Sequence, residues 1–194
     1  MKKSKKTAVA LISIGLLLIL SAFLLWGFNE LMSYRAAQET AEILSNLENQ
    51  MLDEISVTAE AEEGTMPTRI SDGIDIVGVV SVPSLEIEVP VAAEWNYENL
   101  KKCACRYSGT AKDGRLIIMA HNYGRHFGDL KNIKAGDEVQ FLDVNGTMYR
   151  YNVTEIEKLS KHELDKLTAS KSDLTLFTCT YSGQNRIVVR CTKQ

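Results

Sequence analysis

Prolines are scarce in this chain, three in 194 residues against a hydrophobic content of 45%, so nothing in its main body reads as disordered. No basic stripe interleaved with aromatics is present. Residues 1–70 hold six Lys/Arg and nine Asp/Glu, and residues 71–194 hold sixteen of each. That balance argues against nucleic-acid binding as a primary role. The four cysteines are Cys103, Cys105, Cys179 and Cys191. An even count in an exported protein is compatible with two disulfides. Most of the chain, however, lies outside any cysteine cluster, which argues against a dense disulfide framework. A zinc site lacks support too: Cys103-Ala104-Cys105 has no second close pair, and its gap is shorter than the usual spacing of about two to four residues. Internal repeats and low-complexity segments are absent, and the length suits one ordinary domain plus an anchor.

What the chain does have begins with Met-Lys-Lys-Ser-Lys-Lys, followed by an uncharged run from Thr7 to Phe28. Such a run can span a hydrocarbon core of about 30 Å. The apolar region of a cleaved signal peptide is shorter, about 7–15 residues, and ends in small residues. Here the run ends in Trp26-Gly27-Phe28-Asn29, so an uncleaved signal anchor is expected. Four lysines before the run and none just after it predict a cytoplasmic N-terminus (residues 1–6), a transmembrane segment (7–28) and an extracellular remainder. Residues 29–70 read as an acidic helical stalk or linker. Leu31, Ala37, Ile43, Leu44, Leu47, Met51 and Ile55 share one helical face. Eight acidic residues and no basic one lie between Ala36 and Thr68, the pattern of a solvated spacer. Glu62-Glu63-Gly64-Thr65-Met66-Pro67 ends the helical pattern.

From about Ile74 the period changes to that of strands. Ile76–Val82 reads as a buried strand, and Leu85, Ile87 and Val89 alternate with Glu86 and Glu88. Asn96–Lys102 suits a short helix, Arg115–Ala120 a strand, and Phe127–Ile133 a helical turn. Glu138–Val144 and Thr147–Val153 flank Asn145-Gly146, a strong hairpin signal. Leu159–Leu167 suits a short helix or turn. Leu174–Cys179 and Arg186–Thr192 read as two closing strands. Short strands separated by turn signals predict an all-β barrel or sandwich over residues 71–194.

Cys179 stands where a strand meets the polar run Thr180-Tyr181-Ser182-Gly183-Gln184-Asn185. A rigid strand fixes such a residue while the loop leaves it accessible. Position alone is equally compatible with a buried strand cysteine. A nucleophilic cysteine needs a base or a cationic neighbour, and the chain has three histidines. His121 directly follows the strand Arg115–Ala120, with the same strand-end placement as Cys179. His126 and His162, in a loop and a charged stretch, read as surface residues. Acyl transfer also needs an oxyanion partner. Arg186 and Arg190 share one strand face. Cys191 reads as a packing residue. Cys103 and Cys105 are compatible with free thiols, a strained mutual bridge, or a bridge to Cys191.

Thr175-Leu176-Phe177-Thr178-Cys179 resembles the sortase signature TLxTC, and Asn185-Arg186-Ile187-Val188-Val189 resembles the arginine-bearing strand that follows it. Ala120-His121-Asn122, extended by Gly128-Asp129-Leu130 and Gly136-Asp137, is similar to the sortase histidine motif. Val82-Pro83-Ser84-Leu85, Val89-Pro90-Val91 and Tyr107-Ser108-Gly109-Thr110 complete the likeness, in family order, over residues 74–193. This resemblance implies a closed eight-stranded sortase-type β-barrel. It implies a cysteine transpeptidase that cleaves an LPxTG-like sorting motif near the C-terminus of surface proteins of a Gram-positive cell wall. A thioacyl enzyme forms and is resolved by an amine, from peptidoglycan precursor or a protein lysine. Carried onto this chain, Cys179 is the nucleophile and His121 the general acid and then base. Arg186 steadies the oxyanion or positions the substrate backbone, and is preferred to Arg190 because the family's arginine precedes the apolar run. Thr178 is a substrate-binding or supporting residue. No metal and no cofactor are expected. The Asp-Pro-aromatic lid of pilin-polymerising sortases is missing, and the interval from Val153 to Leu174 is short for the long helix of class B. A class D- or A-like anchoring enzyme fits better. The competing readings are a cysteine hydrolase using the same site and a non-catalytic, membrane-tethered binding barrel.

Overall fold

A computed structural model describes residues 2–53 and 66–194, with side chains described for 11–50 and 66–194. The break expected at Glu62–Thr65, and the side chains of Met51 and Ile55, lie outside the described residues. The chain forms two compact units, Met1–Arg35 and Ala36–Gln194.

Helix α1 (Lys2–Asp53) runs from the first unit into the second, and its part in the first unit carries the apolar run. The run's side chains, from Leu11 to Phe28, are largely exposed. The helix is long and apolar enough to cross a membrane, and it suits a single-pass anchor.

The second unit is built on strands. They are β1 (Arg69–Ser71), β2 (Ile74–Val82), β3 (Ile87–Ala92), β4 (Ala104–Thr110), β5 (Gly114–Met119), β6 (Glu138–Asp143), β7 (Met148–Ser160), β8 (Leu174–Cys179) and β9 (Asn185–Lys193). Short helices α2 (Tyr97–Lys102) and α3 (Asp165–Ala169), and 3-10 turns at Pro83–Leu85 and Gly128–Asn132, fill the connections. The order β2-β3-β4-β5-β8-β9-β7-β6 returns to β2 through a β2–β6 pairing, so eight strands form a ring and β1 is an added edge. The ring is thinnest at β3–β4, where two residue pairs, Val91↔Ala104 and Ala92↔Cys105, make a parallel contact. The β6–β7 hairpin turns at Asn145-Gly146, as its sequence predicts. Asp143 Oδ1 accepts from the backbone N–H groups of Asn145 and Thr147 at 2.9 and 2.8 Å, and Gly146 adopts φ +83°.

Strand alternation sorts the side chains. Val80, Val89, Leu116, Ile118, Phe141, Tyr151, Leu174, Leu176 and Val189 fill the inside of the ring. A separate outer cluster gathers Ile117, Leu159, Leu167, Phe177 and Val188, with Leu167 of α3 packed among them.

The acidic segment after Arg35 differs from its sequence reading. It is helical through Asp53, but it is not a spacer solvated on all sides. Ala36, Thr40, Ile43 and Leu47 are buried. Ile43 and Leu47 pack with Ile74, Ile76, Ala92, Leu100, Cys103, Cys105 and Val144. The i, i+3/i+4 spacing of these four residues makes one narrow apolar stripe, while Glu42 and Glu48 sit off it in water and Glu39 at its half-buried margin. Hydrogen bonds reinforce the contact: Ser71 Oγ donates to the Ile43 carbonyl at 3.2 Å and Gln50 Nε2 to the Ile70 carbonyl at 3.0 Å.

Candidate active site

Strand β8 is apolar and β-branched enough to run buried almost to its end, and Cys179 is its last residue, half-buried. Leu174 and Leu176 point into the ring while Phe177 lies in the outer cluster. By the same parity Cys179 projects on the outer face. β5 pairs with β8 in parallel, Ile117 opposite Thr175 and Met119 opposite Phe177. β5 ends at Met119, and His121 follows two residues later, where the register carried onward would lead it towards Cys179. β9 pairs antiparallel with β8 and sets Arg186 directly opposite Cys179. Histidine, cysteine and arginine thus come together at one edge of three adjacent strands.

Thr178 fixes that edge from within. It is buried, on the inner face, and its hydroxyl donates to the Ala120 carbonyl at 2.8 Å. The side chain ties the histidine strand to the cysteine strand. This placement suits the supporting role, one of the two that the resemblance leaves open for Thr178. The backbone continues the tie, with Ala120 N–H donating to the Phe177 carbonyl at 3.3 Å.

His121 is partly buried, and burial first, then the nearby Lys101 charge, hold its pKa below the usual histidine value. Its ring packs on Tyr123 at 4.7 Å between centroids. Among the described residues neither ring nitrogen is hydrogen-bonded, so both are open to proton traffic. Arg186 uses Nη1 on its own loop, donating to the Gly183 and Asn185 carbonyls at 3.0 and 3.1 Å. Nε and Nη2 make no hydrogen bond among the described residues, so they remain available to a developing oxyanion.

Arg190, on the same face, is committed elsewhere. It is 4% exposed, and its donors go to Glu157 Oε1, Thr175 Oγ1 and the Lys166 and Leu167 carbonyls. This arginine holds α3 against the sheet.

The remaining sequence candidates fall away from this edge. His162 is exposed, as expected. His126, read as a surface residue, is fully buried, because α1 covers the loop that carries it; its Nε2 meets Thr40 Oγ1 at 3.1 Å. Burial of this ring depends on a segment 86 residues earlier in the chain, so local polarity could not reveal it. All four cysteines are free. Cys103 and Cys105 lie side by side under α1 and Cys191 in the inner core, so no bridge joins them. A cavity of about 300 Å³, lined by Ser108, Thr110, Asp113, Arg115, Ser172 and Thr175 among others, opens at the other end of β5 and β8 from Cys179.

Known proteins carry the same arrangement of sequence and fold. The Sortase domain family model matches residues 80–194. Sortase A of Listeria monocytogenes is 28% identical over 190 residues, covering 90% of this chain and 84% of its own. Sortase A of Bacillus anthracis is 26% identical over 114 residues, covering 56% of this chain and 54% of its own. Among solved structures, sortase C1 of Streptococcus suis superposes with a TM-score of 0.55 at 25% identity, covering 61% of this chain and 73% of that one. Relatives named both A and C appear at similar distance, so the likeness identifies the family without choosing a subgroup. With the match running through the strands that carry His121, Cys179 and Arg186, the chain belongs to the sortase family of cysteine transpeptidases.

Proposed function

We propose that Cys179, His121 and Arg186 carry the reaction and that the substrate is an LPxTG-like motif near the C-terminus of a surface protein. The Cys179 thiolate attacks the carbonyl carbon of the motif's threonine, forming a C–S bond and a tetrahedral oxyanion beside Arg186. Collapse breaks the Thr–Gly C–N bond, and protonated His121 gives its proton to the departing amine. Neutral His121 then takes a proton from the incoming amine as that amine attacks the thioester. The thiolate leaves and a new amide remains. The acceptor is an amine of peptidoglycan precursor or of a second protein. The chain acts from the outer face of the membrane, anchored by α1 with its lysine-rich end in the cytoplasm, and residues 71–194 carry the chemistry.

One observation supports this reading above the others: the parallel β5–β8 register ends at Met119 opposite Phe177, two residues before His121 and Cys179, and the antiparallel β9 register puts Arg186 opposite Cys179. The test incubates the full chain in detergent with an LPxTG peptide, with and without triglycine, and follows products by mass spectrometry. Wild type is expected to form the triglycine conjugate and a thioacyl adduct at Cys179. Cys179→Ala and His121→Ala abolish both. Hydrolysis alone in abundant triglycine would favour the hydrolase reading of the same site. Full turnover by His121→Ala would remove it from the mechanism.

A further inference from the structure

The loop after His121 folds back on itself. Phe127 N–H donates to the His121 carbonyl at 3.0 Å, and the N–H groups of His126 and Gly128 donate to the Tyr123 carbonyl at 3.0 and 2.9 Å. Residue 128 has to be glycine for this closure, since a Cβ there would stand 2.6 Å from the Tyr123 oxygen. The tight turn lines up three rings. His121 and Tyr123 lie 4.7 Å apart at 34°, and Tyr123 and His126 lie 5.6 Å apart at 45°. The far end of the row is fixed by α1: His126 Nε2 is 3.1 Å from Thr40 Oγ1, both residues being buried.

Donor counting assigns the protons. The Thr40 hydroxyl has one hydrogen, and it is given to the Lys102 carbonyl at 2.9 Å. Thr40 Oγ1 can therefore only accept from His126, whose proton sits on Nε2. The other nitrogen, Nδ1, is buried with no partner among the described residues. A second proton there would have no acceptor and would bring a charge towards His121. Burial first, and then His121, accordingly push the His126 pKa down to about 4, and the ring is neutral at working pH. The charged and titratable groups around it are His121 and Tyr123 from its own loop, Lys101 and Lys102 from α2, and Glu39 from α1, which acts electrostatically on both lysines.

We propose that Thr40 and His126 are positioning residues for the sortase reaction: the α1 segment braces a neutral His126, His126 braces Tyr123, and Tyr123 holds the His121 ring towards Cys179. The proposal rests on the reading of His121 as the acid and base. It extends the working site to a residue outside the 80–194 family match, on the helix that continues from the apolar run. The brace is uncharged, so it orients His121 without adding a second cation beside Lys101 to oppose imidazolium formation. Occupancy of the docked helix and competence of the site are thereby one property.

The test uses the full chain in detergent, an LPxTG peptide and triglycine. Thr40→Val keeps the shape and removes both hydrogen bonds, whereas Thr40→Ser keeps the hydroxyl. Loss of ring orientation is expected to lower kcat roughly tenfold in Thr40→Val, with KM within about twofold of wild type. The pH–rate profile should shift on the limb set by His121, and Thr40→Ser should restore both kcat and profile. Tyr123→Leu, at a half-buried site that tolerates change, should show the same kcat-only defect even if Thr40→Val fails to fold. Wild-type kcat and pH profile in Thr40→Val or Tyr123→Leu overturns the proposal. So does a defect that Thr40→Ser shares, which assigns the effect to packing. His121→Ala is the control that separates the two readings. If it stays active, the assignment of the acid has failed. If it is dead while Thr40→Val is normal, only the brace has failed.

Discussion

Arg186 and Arg190 share a strand and a face, yet their donors are engaged very differently, and substitution by methionine should separate them. Arg190 is buried and makes five polar contacts. Nε and Nη2 reach Glu157 Oε1 at 2.8 and 2.7 Å, Nη1 reaches the Leu167 carbonyl at 3.0 Å and Thr175 Oγ1 at 3.2 Å, and Nη2 reaches the Lys166 carbonyl at 2.9 Å. Arg190→Met leaves two carbonyls and a hydroxyl without their donor. An unsatisfied buried polar group costs about 1–3 kcal/mol. α3 is short and near the surface, so water can reach part of the site, and Glu157, 27% exposed, stays solvated. The lower end of that range for each of three groups gives about 3 kcal/mol, offset in part by the apolar methionine. At about 2–4 °C per kcal/mol for a chain of this size, a net loss of about 2–3 kcal/mol should lower melting by about 4–12 °C. Arg186→Met removes two hydrogen bonds to its own exposed loop, so stability should change by no more than about 0.5 kcal/mol. Loss of an oxyanion donor should nevertheless lower kcat by about a hundredfold or more. Thermal unfolding by circular dichroism and a peptide–triglycine assay read both effects. An Arg190→Met protein that melts within about 2 °C of wild type would refute the argument from donor saturation, as would an Arg186→Met protein less stable than it.

Three further outcomes follow from the same geometry. Lys101 lowers the His121 pKa, so Lys101→Gln should raise it; because turnover needs the imidazolium, which is lost as pH rises through that pKa, the alkaline limb of the pH–rate profile should move to higher pH, less so in high salt, and a move to lower pH refutes the assignment. Cys103, Cys105 and Cys191 are fully buried, and burial also pushes the Cys191 thiol up to about 12, whereas Cys179 is half-buried. Native protein should therefore take up one alkyl group per chain by mass spectrometry, none in Cys179→Ala, and two or more in the native state would contradict the packing. Ile43 is wholly buried between α1 and the β1–β2 region, so Ile43→Ala should cost about 2–5 kcal/mol in denaturant unfolding, where a spacer residue would cost nothing measurable.

The legible parts of this chain are those whose information is local. Strand periodicity marked β2, β5, β6, β8 and β9, and the Asn145-Gly146 turn marked its hairpin. β4 escaped because Arg106, Tyr107, Ser108 and Gly109 do not alternate: register shifts at Arg106/Ser108 and Ser108/Thr110 break the period. β7 runs on to Ser160, seven residues past the expected end at Val153, because a shift between Val153 and Glu155 turns the strand over. Tyr151 and Val153 belong to the inner core, and Leu159 beyond the shift to the outer cluster. A fixed two-residue pattern stops at such a point. The buried state of His126 and the docked face of α1 are two sides of one long-range contact. Neither segment shows in its own sequence what covers it.

Why the site residues were legible by order but not by contact follows from the ring's pairing. His121 and Cys179 lie 58 residues apart with a whole hairpin between them, and no local rule pairs β5 with β8. Parallel pairing sends both strands out at the same edge, so the residues at their C-terminal ends meet without any long loop having to carry them. β9 then starts at that edge and returns antiparallel, which delivers Arg186 at once. Such an edge tolerates change in the connections but not in register. A one-residue slip of β8 would turn Cys179 into the core and bring Thr178 out in its place. The hydroxyl of Thr178 on the Ala120 carbonyl opposes that slip from the inner face, next to the residue it protects. The threonine before the proposed nucleophile thus contributes alignment, and the chemistry proposed for the outer face depends on a hydrogen bond made inside.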